Sequence, residues 1–318
     1  MNIFTSVSGK TWNDRALSRG VGSVLLTSSW EDALEPVFPY ISFGWYQYRD
    51  THLVRVAQIG NRITTVPFAE GGDILPIGEA LLDIVRFNVD VATAFGESAR
   101  LRVNERFCPV TNAHSYPVGA KEHVLTLRGN LHEHVRKTLR HILGKPLPGH
   151  IEKVTAPQDA TRAYHLYLRH MRRVANIAMP HNAFQVLTAI YKGNLFVWKN
   201  SGRVHAMVLF LSGASEALYA LGASDKTGFR AHAAHHLVHH ALEQYRREGL
   251  RSVSLGTTGV DSALETFKRG WRGMEYATYT IGGAQHKRLR TSPFRALARL
   301  IPLQLYERAS SVLGKYLF

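Results

Sequence analysis

The residues best suited to chemistry lie in residues 219–271, where two predicted strands each end in glycine and each is followed by basic residues. A strand that ends in glycine before a helix leaves backbone amides and a helix N-terminus open, and both bind anions. The sequence therefore predicts a cleft for an anionic group such as phosphate. The residues predicted to line it are Gly222, Ser224, Arg230, Gly256, Thr257, Lys268 and Arg269.

Two acidic residues follow the second of these strands and are candidates for proton transfer. Asp261 and Glu265 are four residues apart, so on a helix they share one face and either is placed to act as a general base. Asp261 also lies where a helix N-cap is expected, and we favour capping as its role. Phe267 and Trp271, again four apart, are expected to pack in the core.

Five histidines lie on the helix predicted between the two strands: His232, His235, His236, His239 and His240. Histidines four residues apart chelate zinc in metalloproteases, but that pattern needs a glutamate beside the first histidine, where this chain has Ala233 or Leu237. We therefore predict no metal site. These histidines are interpreted as a polar face near the anion-binding end of the helix, or as solvated surface.

An alternating series of elements in the second half of the chain must position these residues. Short turns at residues 200–202 and 213–215 separate three strand-like segments, which predicts that these strands are antiparallel neighbours. The order of elements predicts a sheet covered by helices, in the α/β (α+β) class. The predicted segments are helices 157–174, 181–191, 229–248 and 261–268, and strands 195–199, 204–212, 216–222, 251–255 and 276–281.

The first half of the chain is also predicted to mix helices and strands. Alternating residues on either side of the Gly60-Asn61 turn predict hairpins over residues 40–68, and apolar residues at helical spacing predict a helix over residues 77–95. Asn130 and Glu133 have the spacing of a capping box and predict a helix over residues 130–143. The two prolines in residues 144–149 can continue neither a helix nor a central strand, so we place a domain boundary there.

Composition limits the kinds of protein that this chain can form. Its 318 residues are 45% hydrophobic, enough for more than one core. Lys and Arg number 39 against 24 Asp and Glu, and the formal net charge of +15 favours a polyanionic partner such as a nucleotide-bearing cofactor, RNA or an anionic membrane surface. The single cysteine, Cys108, excludes an intrachain disulfide. With neither a signal peptide nor a span of about 20 apolar residues in evidence, we expect a cytoplasmic protein.

Several short motifs, taken in their order and spacing, resemble the FemAB-like acyltransferases of the GNAT (acyl-CoA N-acyltransferase) superfamily. The motifs are Leu-Gly-Ala-Ser at 221–224, Arg230, Glu-Gly-Leu at 248–250, Leu-Gly-Thr-Thr at 255–258 and Phe-Lys-Arg-Gly-Trp at 267–271. In the first half, Pro67-Phe68 followed by Gly71-Gly72 and the basic helix over residues 130–143 resemble the same family. The resemblance covers residues 12–281.

The resemblance implies two GNAT-like domains in tandem, each a mostly antiparallel mixed sheet flanked by helices. We assign them to residues 1–145 and 150–283, followed by a basic amphipathic helical tail over residues 284–318. It implies acyl transfer to an amine, with acyl-CoA or aminoacyl-tRNA as co-substrate and no tightly bound cofactor, in a setting such as cell-envelope or polysaccharide biosynthesis. In that activity Lys268 is a candidate catalytic residue beside Asp261 and Glu265.

One segment departs from the GNAT pattern. GNAT enzymes carry Gln or Arg, two variable residues, Gly, one variable residue, then Gly or Ala where the pyrophosphate of the donor binds. Residues 228–234 here are Gly-Phe-Arg-Ala-His-Ala-Ala, so Ala231 and His232 stand where close-approach glycines are expected. A side chain at each position obstructs backbone contact with phosphate. We therefore expect the side chains of Arg230 and Lys268 to hold the anion.

Two alternatives stay open from the sequence. In place of an enzyme, the chain can be a non-catalytic protein that binds RNA or anionic lipid on a GNAT-like scaffold. The tail over residues 284–318 suits either peripheral contact with an anionic membrane, at the inner face, or packing back onto the preceding domain. No motif identifies the acceptor amine or the oligomeric state.

Overall fold

The computed structural model describes residues 3–18, 29–66, 73–189, 194–259, 262–282 and 300–317. An antiparallel sheet of five strands lies in the first part of the chain, and its third strand forms the predicted hairpin across Gly60, which has a φ of +61°. The strands of this sheet are β1 (Phe4–Ser6), β2 (Ile41–Tyr48), β3 (His52–Ile59), β4 (Arg62–Thr64) and β5 (Ile74–Pro76). A short parallel pair follows, formed by β6 (Leu82–Asp83) and β8 (Val110–Thr111).

An eight-stranded mixed sheet forms the centre of the molecule, with the strand order β10-β11-β12-β13-β14-β9-β15-β7. Its strands are β7 (Leu101–Asn104), β9 (Ala120–Thr126), β10 (His150–Lys153), β11 (Asn194–Asn200), β12 (Arg203–Ser212), β13 (Glu216–Ser224), β14 (Ser252–Thr258) and β15 (Met274–Ile281). Neighbouring strands are antiparallel except β13 and β14, which are parallel. The predicted antiparallel arrangement of β11, β12 and β13 is confirmed.

Helices cover both faces of the large sheet. The helices are α1 (Gly9–Ser18), α2 (Ser29–Leu34), α3 (Ile84–Phe95), α4 (Leu131–His134), α5 (Lys137–Leu143), α6 (Pro157–Val174), α7 (His181–Ala189), α8 (Lys226–Arg230), α9 (Ala233–Arg247), α10 (Ala263–Arg269) and α11 (Leu303–Leu317). Because successive residues of a strand point to opposite faces, Val197 of β11 packs in the core beneath α6 and α7, and Trp198 packs in the core beneath α5 and α9.

This architecture confirms the predicted α/β class with a mostly antiparallel mixed sheet flanked by helices. Strands β7 and β9 come from the part of the chain before residue 145, yet β9 lies between β14 and β15 of the part after residue 150. The large sheet therefore contains strands from both sides of the predicted boundary. The division into residues 1–145 and 150–283 stays a prediction.

The helix predicted over residues 130–143 is divided. Asn130 caps α4 as predicted, since its side-chain oxygen accepts a hydrogen bond of 3.0 Å from the amide of His132. Val135 is extended, with ψ of 158°, and the amide of Arg136 donates to the carbonyl oxygen of Gly270 at 2.9 Å. This long-range backbone hydrogen bond replaces one within the helix, so the predicted helix becomes α4 and α5.

The helix predicted over residues 77–95 begins at Ile84. Asp83 caps it, with its carboxylate accepting from the amides of the first turn, and the preceding residues form β6. Val85 and Val89, whose spacing predicted a longer helix, are 40% and 59% exposed, whereas Phe87 is buried. The apolar face of this helix was therefore predicted incorrectly.

The described part of the C-terminal tail packs on α6. Tyr306 of α11 is 2% exposed, and the Tyr164 hydroxyl donates a hydrogen bond of 2.8 Å to Glu307. Arg172 donates a hydrogen bond of 3.0 Å to the carbonyl oxygen of Ile301. Residues 283–299, which carry most of the basic residues of the predicted tail, lie outside the described residues. In the described ranges, every helix is too short or too polar to cross a membrane.

Candidate functional site

The pairing between β13 and β14 ends after three residues. Glu216 to Leu218 pair with Ser252 to Ser254, and both strands then continue, β13 as far as Ser224 and β14 as far as Thr258. Over residues 219–224 the other edge of β13 pairs with β12, so in the described part of the chain one edge has no strand partner. An open edge of this kind offers amides and carbonyls to an extended ligand. The two strands therefore form the walls of a cleft.

Lys268 of α10 supports the β14 wall of the cleft. Its Nζ donates hydrogen bonds of 2.9 Å to the carbonyl oxygens of Gly256 and Thr257, and the residue is 3% exposed. Gly256 has a φ of +74° at an irregularity between β14 and β9, and glycine adopts this conformation without strain. The structure thus places Lys268 beneath the cleft wall as a buried cation, in contact with the strand carbonyls.

The other residues predicted on α10 have different partners. Ser262 caps this helix, with its Oγ accepting a hydrogen bond of 3.0 Å from the amide of Glu265. The predicted cap, Asp261, is therefore wrong by one residue, and Asp261 itself lies outside the described residues. Glu265 is buried, with a carboxylate oxygen 3.9 Å from Nε of Arg269. Arg269 donates a hydrogen bond of 2.9 Å to Glu275 and is thereby held towards β15.

Tyr219 is a functional candidate that the sequence analysis did not identify. Its phenol lies against Gly222, where an added Cβ would be 1.8 Å from Oη of Tyr219, so any side chain at this position would displace the phenol. Its ring packs edge to face on Phe210, with 5.4 Å between ring centroids. Burial raises the pKa of Tyr219 to about 12, so the phenol keeps its proton at neutral pH. The sequence feature that could have identified Tyr219 is its position three residues before Gly222, a glycine predicted to line the cleft.

The helix predicted over residues 229–248 is also divided, into α8 and α9. Asp225 caps α8: one carboxylate oxygen accepts from the amide of Gly228 at 2.9 Å, and the other lies 2.7 Å from Nδ1 of His205. Gly228 packs so closely on β12 that an added Cβ would be 2.3 Å from the carbonyl oxygen of His205. Arg230 consequently ends α8 and is exposed, whereas it was predicted to open the longer helix.

His232 separates the two helices with a left-handed backbone. Its φ of +51° is uncommon for a residue other than glycine, and no side chain caps the N-terminus of α9. The amide of His235 donates to the carbonyl oxygen of His232 at 2.9 Å, whereas no side chain caps the two amides before it. These amides lie at the positive end of the helix dipole. The backbone at His232 has a conformation that glycine adopts easily, even though the imidazole occupies the position where a glycine was expected.

The histidines of α9 form contacts between helices. The imidazole of His235 lies 4.7 Å from the ring of Phe267, measured between centroids, and so joins α9 to α10 beside the cleft. Burial lowers the pKa of His235 to about 4, so this imidazole is neutral. His239 lies 6.4 Å from His132 of α4 on the same measure. No group of three potential metal ligands is assembled in the described ranges.

A buried ionic network joins β9, β13 and β14 where β13 and β14 are paired, and the sequence analysis missed it. Arg106 pairs with Glu122 of β9 at 2.8 Å and with Glu216 of β13. The hydroxyls of Ser252 and Ser254 donate to Glu216 and Glu122 at 2.8 and 2.6 Å. Burial raises the pKa of Glu122, and the charge of Arg106 opposes that shift. The sequence feature that could have revealed this network is a glutamate, Glu122 or Glu216, in each of two strand-like segments.

The structure brings together only part of the predicted site. Gly256 and Thr257 are joined to Lys268 on one wall, and Gly222 lies on the facing strand. Ser224, at the end of that strand, accepts a hydrogen bond of 3.3 Å from Arg173 through its carbonyl oxygen. The other two predicted residues lie elsewhere: Arg230 is exposed at the end of α8, and Arg269 of α10 donates a hydrogen bond to Glu275.

Comparisons with known proteins agree with this geometry. Residues 130–269 match the family model described as an acetyltransferase (GNAT) domain. The chain is similar in structure to FemX, with 12% sequence identity, a TM-score of 0.57, and 93% of this chain and 99% of that chain covered. A comparison with curated protein sequences gives no match.

Two further solved structures are similar over most of their length. One is the C-terminal domain of a putative lysylphosphatidylglycerol synthetase from Agrobacterium fabrum, with 13% identity, a TM-score of 0.53 and coverage of 92% of this chain and 95% of that one. The other is a tandem GNAT protein from the clavulanic acid biosynthesis pathway, with 11% identity, a TM-score of 0.51 and coverage of 88% and 98%. The predicted resemblance is confirmed at the level of fold: the chain has the acyl-CoA N-acyltransferase fold.

Proposed function

We propose that this chain, which carries an acetyltransferase (GNAT) domain over residues 130–269, transfers an acyl or aminoacyl group from acyl-CoA or aminoacyl-tRNA to an amine. The observation that carries the proposal is the open edge of β13 beside the uncapped N-terminus of α9. The open edge suits an extended donor arm with amide groups, and the helix N-terminus suits phosphate. In acyl-CoA an arm with amide groups joins the pyrophosphate to the thioester, and in aminoacyl-tRNA a phosphodiester lies next to the ester.

The proposed reaction begins when a neutral amine attacks the carbonyl carbon of the donor. A C–N bond forms, the carbonyl oxygen becomes an oxyanion, and the C–S or C–O bond to the carrier then breaks, with the carrier taking up a proton. The neutral phenol of Tyr219 is proposed to donate a hydrogen bond to the oxyanion. Asp261 and Glu265 remain the proposed acceptors of the amine proton.

The proposed donor site follows the two walls of the cleft. Gly222 and Ser224 shape the open strand, and Gly256 and Thr257 shape the facing one, where Lys268 holds their carbonyl groups in place. Arg230 is exposed close to the start of α9, which suits contact with the donor phosphates. Arg269 is proposed to act indirectly, by fixing the position of α10, because its side chain is bound to Glu275.

The proposed setting is cell-envelope or polysaccharide biosynthesis, in the cytoplasm or at the inner face of the membrane. The support for this part is the net charge of +15, which suits anionic substrates and surfaces, together with the fold shared with FemX and the synthetase domain. The same charge supports the alternative function, in which the chain binds RNA or anionic lipid without catalysis.

A panel of donors and amines tests the proposal. The full chain is incubated with acetyl-CoA, a longer acyl-CoA or aminoacyl-tRNA and with small amines, and the products are measured by mass spectrometry. We expect transfer from one donor class, and a kcat roughly 100-fold lower for Tyr219→Phe. Tyr276→Phe, which removes a phenol from β15 outside the cleft, is the matched control. Absence of transfer together with strongly salt-dependent RNA binding would support the alternative.

A further inference from the structure

A second concave site lies at the other end of the large sheet. A pocket of about 280 Å³ is enclosed by the end of β9, α4, the C-terminal half of α9 and the turn that follows α10. Its wall on α9 is Leu242, nine residues after Ala233, which corresponds to about 14 Å along the helix from the proposed donor site. The pocket is therefore separate from the cleft between β13 and β14.

The charged side chains that line the pocket are the two arginines Arg128 and Arg272. His134 also lines it, and no acidic residue is among its lining residues. All three are exposed, and neither arginine side chain forms an ion pair within the described ranges. Two unpaired guanidinium groups beside a concave surface favour an anion.

The remainder of the wall is apolar, with Leu125, Leu131, Val135 and Leu242 among its residues. We propose that this pocket binds a small amphipathic anion, with the apolar body against these side chains and the negative charge beside Arg128 and Arg272. The volume is just below the usual range for pockets that bind drug-sized ligands, so it suits a smaller molecule. A carboxylate and a phosphate monoester present the same chemistry to such a site.

Titration calorimetry with three probes that share an eight-carbon chain tests this assignment. Octanoate and octyl phosphate carry the anion, and octanol lacks it. We expect at least one of the two anions to bind the full chain tenfold or more tightly than octanol, and their relative affinities show whether the site prefers a carboxylate or a phosphate. Equal affinity for octanol and both anions would overturn the proposal.

Variants locate the binding. Arg128→Gln/Arg272→Gln is expected to weaken anion binding at least tenfold, because both charges are lost. Arg203→Gln, on an exposed arginine at the start of β12, is the control and should change nothing. The double arginine variant changes exposed side chains only, so it is expected to keep the native fold. Anion binding that is unaffected by the double variant would also overturn the proposal.

Discussion

The ammonium group of Lys268 lies 2.9 Å from the carbonyl oxygen of Gly256, inside the protein and beneath one wall of the cleft. A lysine in the Phe-Lys-x-x-Trp motif thus holds the backbone of β14 at the place where that strand has left β13. Its hydrogen bond to the carbonyl oxygen of Thr257 has the same length. We therefore regard Lys268 as a residue that positions this wall of the cleft, which is part of the proposed donor site.

Replacing Lys268 with methionine tests this role. Lys268→Met leaves two strand carbonyls without these hydrogen bonds, so we expect a loss of about 2–4 kcal/mol in the free energy of unfolding. Urea denaturation measures this loss. Lys137→Met, on an exposed lysine of α5, is the matched control and should stay within about 0.5 kcal/mol of the native chain.

The salt dependence of donor binding separates positioning from direct contact with phosphate. If Lys268 only positions the strand, Lys268→Met weakens donor binding without changing its salt dependence, whereas Arg230→Gln makes binding less sensitive to salt. A reduced salt dependence in Lys268→Met would instead show that its ammonium reaches the donor.

The left-handed backbone of His232 gives a second prediction. His232→Gly removes both the strain of a positive φ and the imidazole beside the first turn of α9. We expect the donor to bind severalfold more tightly and the free energy of unfolding to rise by up to about 1 kcal/mol. Ser201→Gly is the control: Ser201 has a φ of +49° in the turn between β11 and β12, so only stability should change. Equal effects of both variants on donor affinity would contradict the account.

The Arg106 network should make a large contribution to stability. Arg106→Met leaves the buried carboxylates of Glu122 and Glu216 without their cation, so we expect a loss of about 3–5 kcal/mol in chemical denaturation. The triple variant with Glu122→Gln and Glu216→Gln should recover part of that loss. Lys121→Met breaks an exposed pair with Glu275 and should cost less than about 1 kcal/mol. Similar losses for Arg106→Met and Lys121→Met would show that the network has no special role.

The sequence predicted the elements of the site better than their contacts. Local patterns located β13, β14 and α10, because glycine and alternating apolar residues act over a few positions. The burial of Lys268 could not be predicted, since it depends on how α10 packs beneath β14. The insertion of β9 between β14 and β15 depends on pairing across more than 120 residues. The break at Val135 likewise arises from a hydrogen bond between Arg136 and the distant Gly270.

The buried histidines predict a loss of stability in acid. The folded-state pKa of His235 is about 4, below its ordinary value near 6.5, so between these values the unfolded chain binds more protons than the folded chain. The stabilisation is complete above pH 6.5 and is lost as the pH falls towards 4. His235→Leu should reduce the slope of unfolding free energy against pH in this window. His114→Gln, at an exposed histidine, should leave the slope unchanged, and an equal slope for His235→Leu would contradict the assignment.

Native mass spectrometry of the full chain with candidate donors tests the central claim most directly. The account predicts a one-to-one complex with an acyl-CoA or an aminoacyl-tRNA, and conversion of that complex to free carrier and acylated amine when an amine is added. Gly222→Ala, which forces a methyl group against Tyr219, should weaken the complex at least tenfold while circular dichroism shows a folded chain. A chain that binds neither donor, or a Gly222→Ala variant that binds the donor as tightly as the native chain, would contradict it.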